Sequence, residues 1–263
     1  MLFQVLKMEK EMDLVEGNTA FLVGLNNPKR DERARSLLDL IELGTFDLEL
    51  ASWFVSQVSR GASYITGSGP GGVGKTTTMR SLLSFVPRNL RFALALPGEI
   101  TNIGNDSHCV LSNELSDHTP PTYLWDQDLR DFMSLSDNGN VIVGNVHADD
   151  HEEIHGQFVT ECSVPEKQFR AITLMVFICL EGGNPPDNKR VKDTTTRRVI
   201  NKIFYSDGTS KHESVFDPDQ GLTPNAPRDA SHEQACRTFL EGLLNTSERS
   251  LEGVRKSFLE SSI

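Results

Sequence analysis

A chain of 263 residues, 37% hydrophobic and 24% charged, can bury one large α/β core and is too apolar for a disordered tail. Its formal net charge of −11 argues against nucleic acid as a partner, because affinity for a phosphate backbone comes from Lys and Arg displacing counterions. The longest apolar run, Ala171 to Leu180, falls far short of a spanning helix, so no membrane span is expected. The first residues, MLFQVLKMEKEMD, lack the apolar core and small-residue cleavage site of a secretory signal. Cys109, Cys162, Cys179 and Cys236 are scattered without a C-x-x-C pair, a usage that points to a reducing cytoplasm.

Residues 1–30 are weakly patterned and read as an N-terminal extension of uncertain structure. A core is expected over 31–216, opening with a helical lead-in at 31–60. Within it, Asp31 to Leu43 predicts a helix stopped by Gly44. Asp47 to Arg60 predicts a second, amphipathic helix, with Leu50, Ala51, Phe54, Val55 and Val58 at helical spacing. Ala62 to Thr66 reads as a short buried strand. It runs into Gly69-Pro70-Gly71-Gly72-Val73-Gly74-Lys75-Thr76, which fits G-x-x-x-x-G-K-[ST] at every fixed position. The four glycines permit φ > 0 and close backbone approach, so successive N–H groups are expected to form an anion nest where a helix begins. Lys75 is expected to reach the β- and γ-phosphates of a bound nucleotide and the Thr76 hydroxyl to hold Mg²⁺, with Thr77 closing the phosphate-contacting stretch. Thr77 to Phe85 reads as a helix closed by Pro87. Strand, glycine loop and helix in that order is the setting this motif needs, and a flexible linker would not have it.

Leu90 to Leu96 predicts a strand, broken by Pro97-Gly98 and followed at once by Glu99. Cys109 to Leu115 is an apolar run carrying Glu114. In a phosphate-loop enzyme an acid there holds Mg²⁺ through water or activates the attacking water. A turn at Asp117–Pro121 precedes a helix capped by Thr122 or Asp126 and running to Ser136, and 137–140 (DNGN) is another turn. Val141 to Val146 is a strand with His147 at its carboxyl end. Ligands of open parallel sheets bind beyond the carboxyl ends of the strands. That rule gathers the loop, Glu99, Glu114 and His147 onto one edge, where His147 can donate to a γ-phosphate. Asp149 to Cys162 and Pro165 to Ile172 predict helices, Leu174 to Leu180 a strand, and Gly182 to Asp193 a polar loop. Arg197–Tyr205 and Glu213–Phe216 predict a hairpin around Ser206-Asp207-Gly208. Residues 217–228, with three prolines, read as a linker. Residues 229–263 read as a helical tail, with Phe239, Leu243 and Leu244 as its apolar stripe, suited either to docking a partner or to capping the core.

One motif competes. His151-Glu152-Glu153-Ile154-His155 fits H-E-x-x-H, in which two histidines one helical turn apart bind zinc and Glu152 serves as general base. Glu153, with Asp149 and Asp150 just ahead, instead suggests a solvated acidic surface.

Taken in order, these motifs resemble the ATPase family that drives type II and type IV secretion and type IV pilus machines, over roughly Leu37 to Phe216. The stretches L-L-D-L-I-E-L-G-T-F and L-A-S-W-F-V are similar to that family's helical lead-in. V-L-S-N-E-L-S-D resembles its G-E-I-R-D segment, with Glu114 at the Walker B glutamate, Asp117 at the aspartate and Ser116 in place of the arginine. G-N-V-I-V-G-N-V-H-A-D-D resembles its histidine box and aligns His147 with it. The family's acidic box corresponds to A-L-A-L-P-G-E-I, where Glu99 is the one acid left. Most of the family's amino-terminal domain and its tetracysteine zinc element have no counterpart. The resemblance implies an α/β P-loop NTPase fold, RecA-like, with a mostly parallel sheet flanked by helices. It implies Mg²⁺-dependent ATP hydrolysis in which Glu114, assisted by Glu99, positions water and His147 senses the γ-phosphate. It also implies a homo-oligomer, a hexamer, in which Arg91, Arg130 or Arg197 acts in trans, and a protein machinery as partner. A nucleotide-binding regulatory module without turnover and a small-molecule or nucleotide kinase share the same loop, and both readings stay open.

Overall fold

The computed structural model describes residues 2–26 (side chains from Asp13 onward), 33–100, 103, 107–118, 122–185 and 189–263. Four strands are short, mostly apolar and buried along nearly their whole length: β1 (Tyr64–Gly67), β3 (His108–Leu111), β4 (Val141–Val146) and β5 (Leu174–Leu180). Such strands suit the middle of a parallel sheet covered on both faces. Together with β2 (Arg91–Leu94), β6 (Arg198–Tyr205) and β7 (Glu213–Ser214) they form a seven-stranded sheet in the order β2-β3-β4-β1-β5-β6-β7. Pairing is parallel from β2 through β5 and antiparallel at β6 and β7. This is the mostly parallel α/β sheet flanked by helices that the sequence leads one to expect.

Alternate side chains along the strands face opposite layers. Tyr64, Cys109, Val143 and Val176 point into one cluster, with α3 (Leu48–Val58), α4 (Lys75–Ser81), α8 (Ala230–Leu244) and α9 (Leu251–Glu260). Ile65, Val110, Ile142 and Met175 point into the other, with α5 (Asp126–Ser134), α6 (His151–His155) and α7 (Glu166–Arg170). The chain leaves β1 for the far edge at β2, returns through β3 and β4, and then crosses to β5 on the other side of β1. The carboxyl ends of β3, β4 and β1 therefore open on a common crevice at the point where strand order reverses.

Several elements depart from the sequence reading. Where an unpatterned extension was expected, α1 (Leu2–Gly24) lies against the edge strand. Asn18 donates to the Leu90 carbonyl (2.9 Å) and accepts from the Phe92 amide (2.8 Å), so it satisfies backbone groups that an uncovered edge would expose. Phe21 packs on Phe92, with ring centroids 5.4 Å apart. The helix expected from Asp31 is only α2 (Leu37–Glu42), because Asp39 folds back to accept from the Ser36 amide (2.7 Å) and so fixes the start there. Asp31 itself, and Thr119–Pro121 of the expected turn, lie outside the described residues. The helix expected over 149–162 is five residues of α6 continued by a π-helical segment, Gly156–Glu161.

The segment 217–228 is not a free linker. It carries most of a small two-stranded ribbon, β8 (Phe216–Asp217) and β9 (Gly221–Leu222), and the Pro227 carbonyl accepts from the Trp53 indole (2.8 Å). The terminal helices are built into the first cluster. Cys236, Leu240, Leu251, Val254 and Phe258 are buried there, and the Phe258 ring stands edge-on to Phe85 at 5.6 Å. Arg255 is buried beside them, its guanidinium 4.9 Å over the Phe92 ring and donating to the Val86 carbonyl (2.8 Å). Among the described residues no helix is long and apolar enough to cross a membrane. If the end of the chain is core, Phe258→Ala should cost about 3–5 kcal/mol, read from urea-denaturation midpoints and slopes. A loss below ~0.5 kcal/mol would mark a peripheral tail.

Candidate functional site

The glycine loop follows β1 directly. Gly72 has φ +82, and a Cβ there would collide with the Val191 carbonyl, so the loop can pass under residues 190–191 only with glycine at that position. The Val191 amide donates to Gly71 O (2.8 Å). At the loop's start, the Gly69 amide donates to the Asp149 carboxylate (2.8 Å), and Asn184 Nδ2 bridges that carboxylate (3.1 Å) and Ser68 Oγ (3.2 Å). These contacts hold the loop open from outside. Inside it, among the described residues, none of the amides from Gly71 to Thr77 donates to a protein acceptor. Only Val73 and Lys75 of this row are buried, and the amides from Lys75 on belong to the first turn of α4, where N–H groups have no partners within their own helix; such a row can take an anion or water.

Lys75 lies at the bottom of the loop and is 5% exposed. Its ammonium donates to Ser68 O (3.2 Å) and stands 4.0 Å from Glu114 Oε1. His147 Nδ1 is 2.7 Å from Gly69 O and 3.1 Å from Lys75 Nζ. A carbonyl only accepts and an ammonium only donates, so Nδ1 can serve one of them. We assign its proton to the shorter contact, with Gly69 O, which turns Nε2 toward Glu114 Oε1 at 3.8 Å. Glu114 Oε1 is buried and has no hydrogen-bond partner among the described residues. Lys75, Glu114 and His147, from three separate segments of the chain, thus meet at one point.

Sequence reasoning missed the hub beneath them. Asn145 is fully buried; its Oδ1 accepts from Thr66 Oγ1 (2.6 Å), and its Nδ2 donates to Thr76 Oγ1 (3.2 Å) and Asn113 O (3.0 Å). It orients the loop threonine and ties together the exits of β1, β3 and β4. Its signal was present: an amide inside the otherwise apolar, fully buried strand V-I-V-G-N-V must bond to something. Asp149, read only as surface charge, is the Gly69 acceptor.

Glu99 stands apart. It is exposed and follows β2, three strand spacings or roughly 14 Å from β1, and no hydrogen bond or ion pair links it to Lys75, Glu114 or His147. The arginines suggested for action in trans are engaged within the chain. Arg91 pairs with Asp13 (3.4 Å), Arg130 donates to Cys162 O (2.6 Å), and Arg197 pairs with Glu181. Asp117 pairs with His118 (2.8 Å), whose ring stacks on His147 at 5.7 Å.

The H-E-x-x-H pair is occupied otherwise. His155 bonds Glu166 (2.6 Å) and His151 stacks on Phe204 at 5.2 Å. Among the described residues no group of three His, Cys, Asp or Glu is placed to hold a metal. The donors that suit Mg²⁺ are the unpartnered Glu114 Oε1 and the Thr76 hydroxyl, hard oxygens of the kind that ion takes alongside phosphate and water.

No protein-family model matches the chain, and no curated protein does. Among solved structures it is similar to the VirB11 ATPase of the Brucella suis type IV secretion system, crystallised with sulphate. Identity is 16% and the TM-score 0.40, over 65% of this chain and 57% of that one. The match spans little more than half of that protein, and a likeness so loose assigns neither family nor activity.

Burial raises the Glu114 carboxyl above the ordinary 4.5, with Lys75, His147 and His118 pulling it back. Burial lowers the Lys75 ammonium, opposed by Glu114 and Asp149. A carboxyl that holds its proton more tightly folded than unfolded contributes its full stability below about 4.5, and that contribution is lost as pH rises through the folded value. Glu114→Gln, which cannot ionise, should therefore gain stability relative to wild type as pH rises from 4.5 to 8, measured as the difference in urea midpoints. Parallel pH curves would show that Glu114 is not buried in this way.

Proposed function

We propose that this chain binds ATP with Mg²⁺ and hydrolyses it. The observation that carries the reading is the row of amides at Gly71–Thr77 without protein acceptors, in the loop whose buried Lys75 ammonium lies 4.0 Å from the unpartnered Glu114 Oε1. The amides and Lys75 take the β- and γ-phosphates. Thr76, and Glu114 through a water, would hold Mg²⁺, whose charge would offset that of the phosphates.

Water enters between Glu114 and the γ-phosphorus. Its oxygen bonds to phosphorus while the bond to the β–γ bridging oxygen breaks, and the electron pair leaves on ADP. The water proton passes to the Glu114 carboxylate, then to solvent. A raised carboxyl pKa suits that acceptance, since a base works best when its pKa lies near the working pH. His147, with Nδ1–H donated to Gly69 O, keeps an Nε2 lone pair that cannot donate to a γ-phosphate oxygen as the sequence led one to expect, but can accept from the attacking water. Gln157 Nε2, donating to His147 O (2.9 Å), steadies that residue. Because phosphoryl transfer is catalysed mainly by positioning and electrostatics, no covalent intermediate is needed.

Glu99, exposed and unbonded to this cluster, has no part in the scheme, and the want of a second acid favours one second reading: a module that binds nucleotide with negligible turnover. Lys75→Ala should abolish binding of a fluorescent ATP analogue. Glu114→Gln should keep that binding within a few-fold and lose phosphate release by about 10²-fold or more. Wild-type protein that binds ATP but releases no phosphate supports the module instead, and a Glu114→Gln variant of normal turnover removes the role given to that residue.

A further inference from the structure

The segment that crosses the glycine loop brings a charge with it. Arg190 precedes Val191, whose amide is bonded to Gly71 O (2.8 Å). A Cβ built on Gly71 would lie 3.8 Å from Arg190 Cγ, 4.0 Å from Arg190 Nη1 and 3.9 Å from His147 Cε1. The bare α-carbon of Gly71 therefore separates the guanidinium from the imidazole. The charge reaches the site: Arg190 adds to the depression of the Lys75 ammonium and offsets the rise of the Tyr123 phenol, which itself feels Glu114. Among the described residues Arg190 makes no ion pair or hydrogen bond, whereas Arg91, Arg130 and Arg197 are all engaged. An exposed guanidinium with five unused donors, held beside a loop built for phosphate, is poised for a multiply charged oxyanion.

We propose that Arg190 is a catalytic arginine acting in cis: it reaches over Gly71 to the γ-phosphate of the nucleotide bound in its own subunit. The inference rests on the ATP reading above. In the hydrolytic step Arg190 forms no covalent bond and gives up no proton. Its N–H groups donate to the bridging and equatorial γ-oxygens, whose charge shifts as the bond to ADP breaks and the bond to water forms. A donor already in place where that charge develops lowers the barrier without reorganisation, and arginines placed this way accelerate phosphoryl transfer by about 10³–10⁵-fold. The site then needs no residue from a second copy.

Three variants and one transition-state mimic test this. Arg190→Ala and Arg190→Lys should bind ADP within a few-fold of wild type, yet release phosphate at least ~10³-fold more slowly. ADP with aluminium fluoride, which resembles the phosphoryl group in flight, should be trapped by wild type and not by Arg190→Ala. Mixing Arg190→Ala with Lys75→Ala should restore no activity, because neither chain holds both a loop lysine and its own arginine. Normal turnover or normal trapping by Arg190→Ala overturns the proposal and leaves the ATP reading standing. Restored activity in the mixture places the arginine in trans and also overturns it. Wild-type protein that binds no nucleotide removes both.

Discussion

An ammonium and a carboxylate share a pocket nearly closed to water and still do not bond. Lys75 Nζ and Glu114 Oε1 are 4.0 Å apart, with side chains 6% and 8% exposed. Taking two charges from water costs several kcal/mol each, and only close, hydrogen-bonded pairing repays that cost. Here the repayment is partial. Lys75 has one carbonyl acceptor, and Glu114 Oε1 has none. A fold keeps such a gap open only when something else holds the two groups where they are. The work is shared: the Tyr64 hydroxyl donates to Met79 O (2.9 Å) and ties β1 to α4 behind Lys75, while Asn145 ties both to the exit of β3.

Strand order makes this possible. With β4 between β1 and β3, an acid leaving β3 and a histidine leaving β4 approach the loop leaving β1 from one side, and β5 with its loop closes the other. The Leu115 amide donates to Asn145 O (2.8 Å), and Leu115 bridges both Val146 and Leu124, so the residue after Glu114 is pinned before the chain turns away. Glu99 leaves the outer strand exposed and without a bond to Lys75, Glu114 or His147, although it follows a strand as Glu114 does. Being at the carboxyl edge of a sheet is necessary for joining a site, and being beside the right strand decides it.

This distinction explains what was legible. The glycine loop after β1, β4 from Val141 to Val146, and the placement of Glu114 and His147 beside that loop could all be read locally, because buried parallel strands are mostly apolar runs cut off by turn residues, and loop motifs are fixed spacings. What could not be read depends on a partner distant in sequence. Asn18 looks like a lone polar residue until the edge of β2 lies beside it. Asp149 and Arg190 gain meaning only when the loop passes near them. The H-E-x-x-H spacing is the converse case. It is compatible with a zinc helix, but Glu166 and Phe204 arrive from elsewhere and take its histidines. The π-helical continuation after His155 escaped notice because an apolar stripe does not distinguish i→i+4 from i→i+5 bonding.

Charge poses the last question, since a chain of net −11 is a poor attractor of a polyanion. At physiological salt the field of scattered surface charges is screened beyond about 8 Å. The surface therefore neither steers nor repels a nucleotide far from the crevice. Within it the balance is reversed over a few ångströms by Lys75, Arg190 and the unpaired amides, against Glu114 and Asp149. The Asp149 carboxylate is already spent on Gly69 and Asn184. Recognition in such a site is short-range and geometric: a ligand benefits only when its oxygens reach the amides themselves. That is how an acidic surface can surround the phosphate site proposed for this crevice.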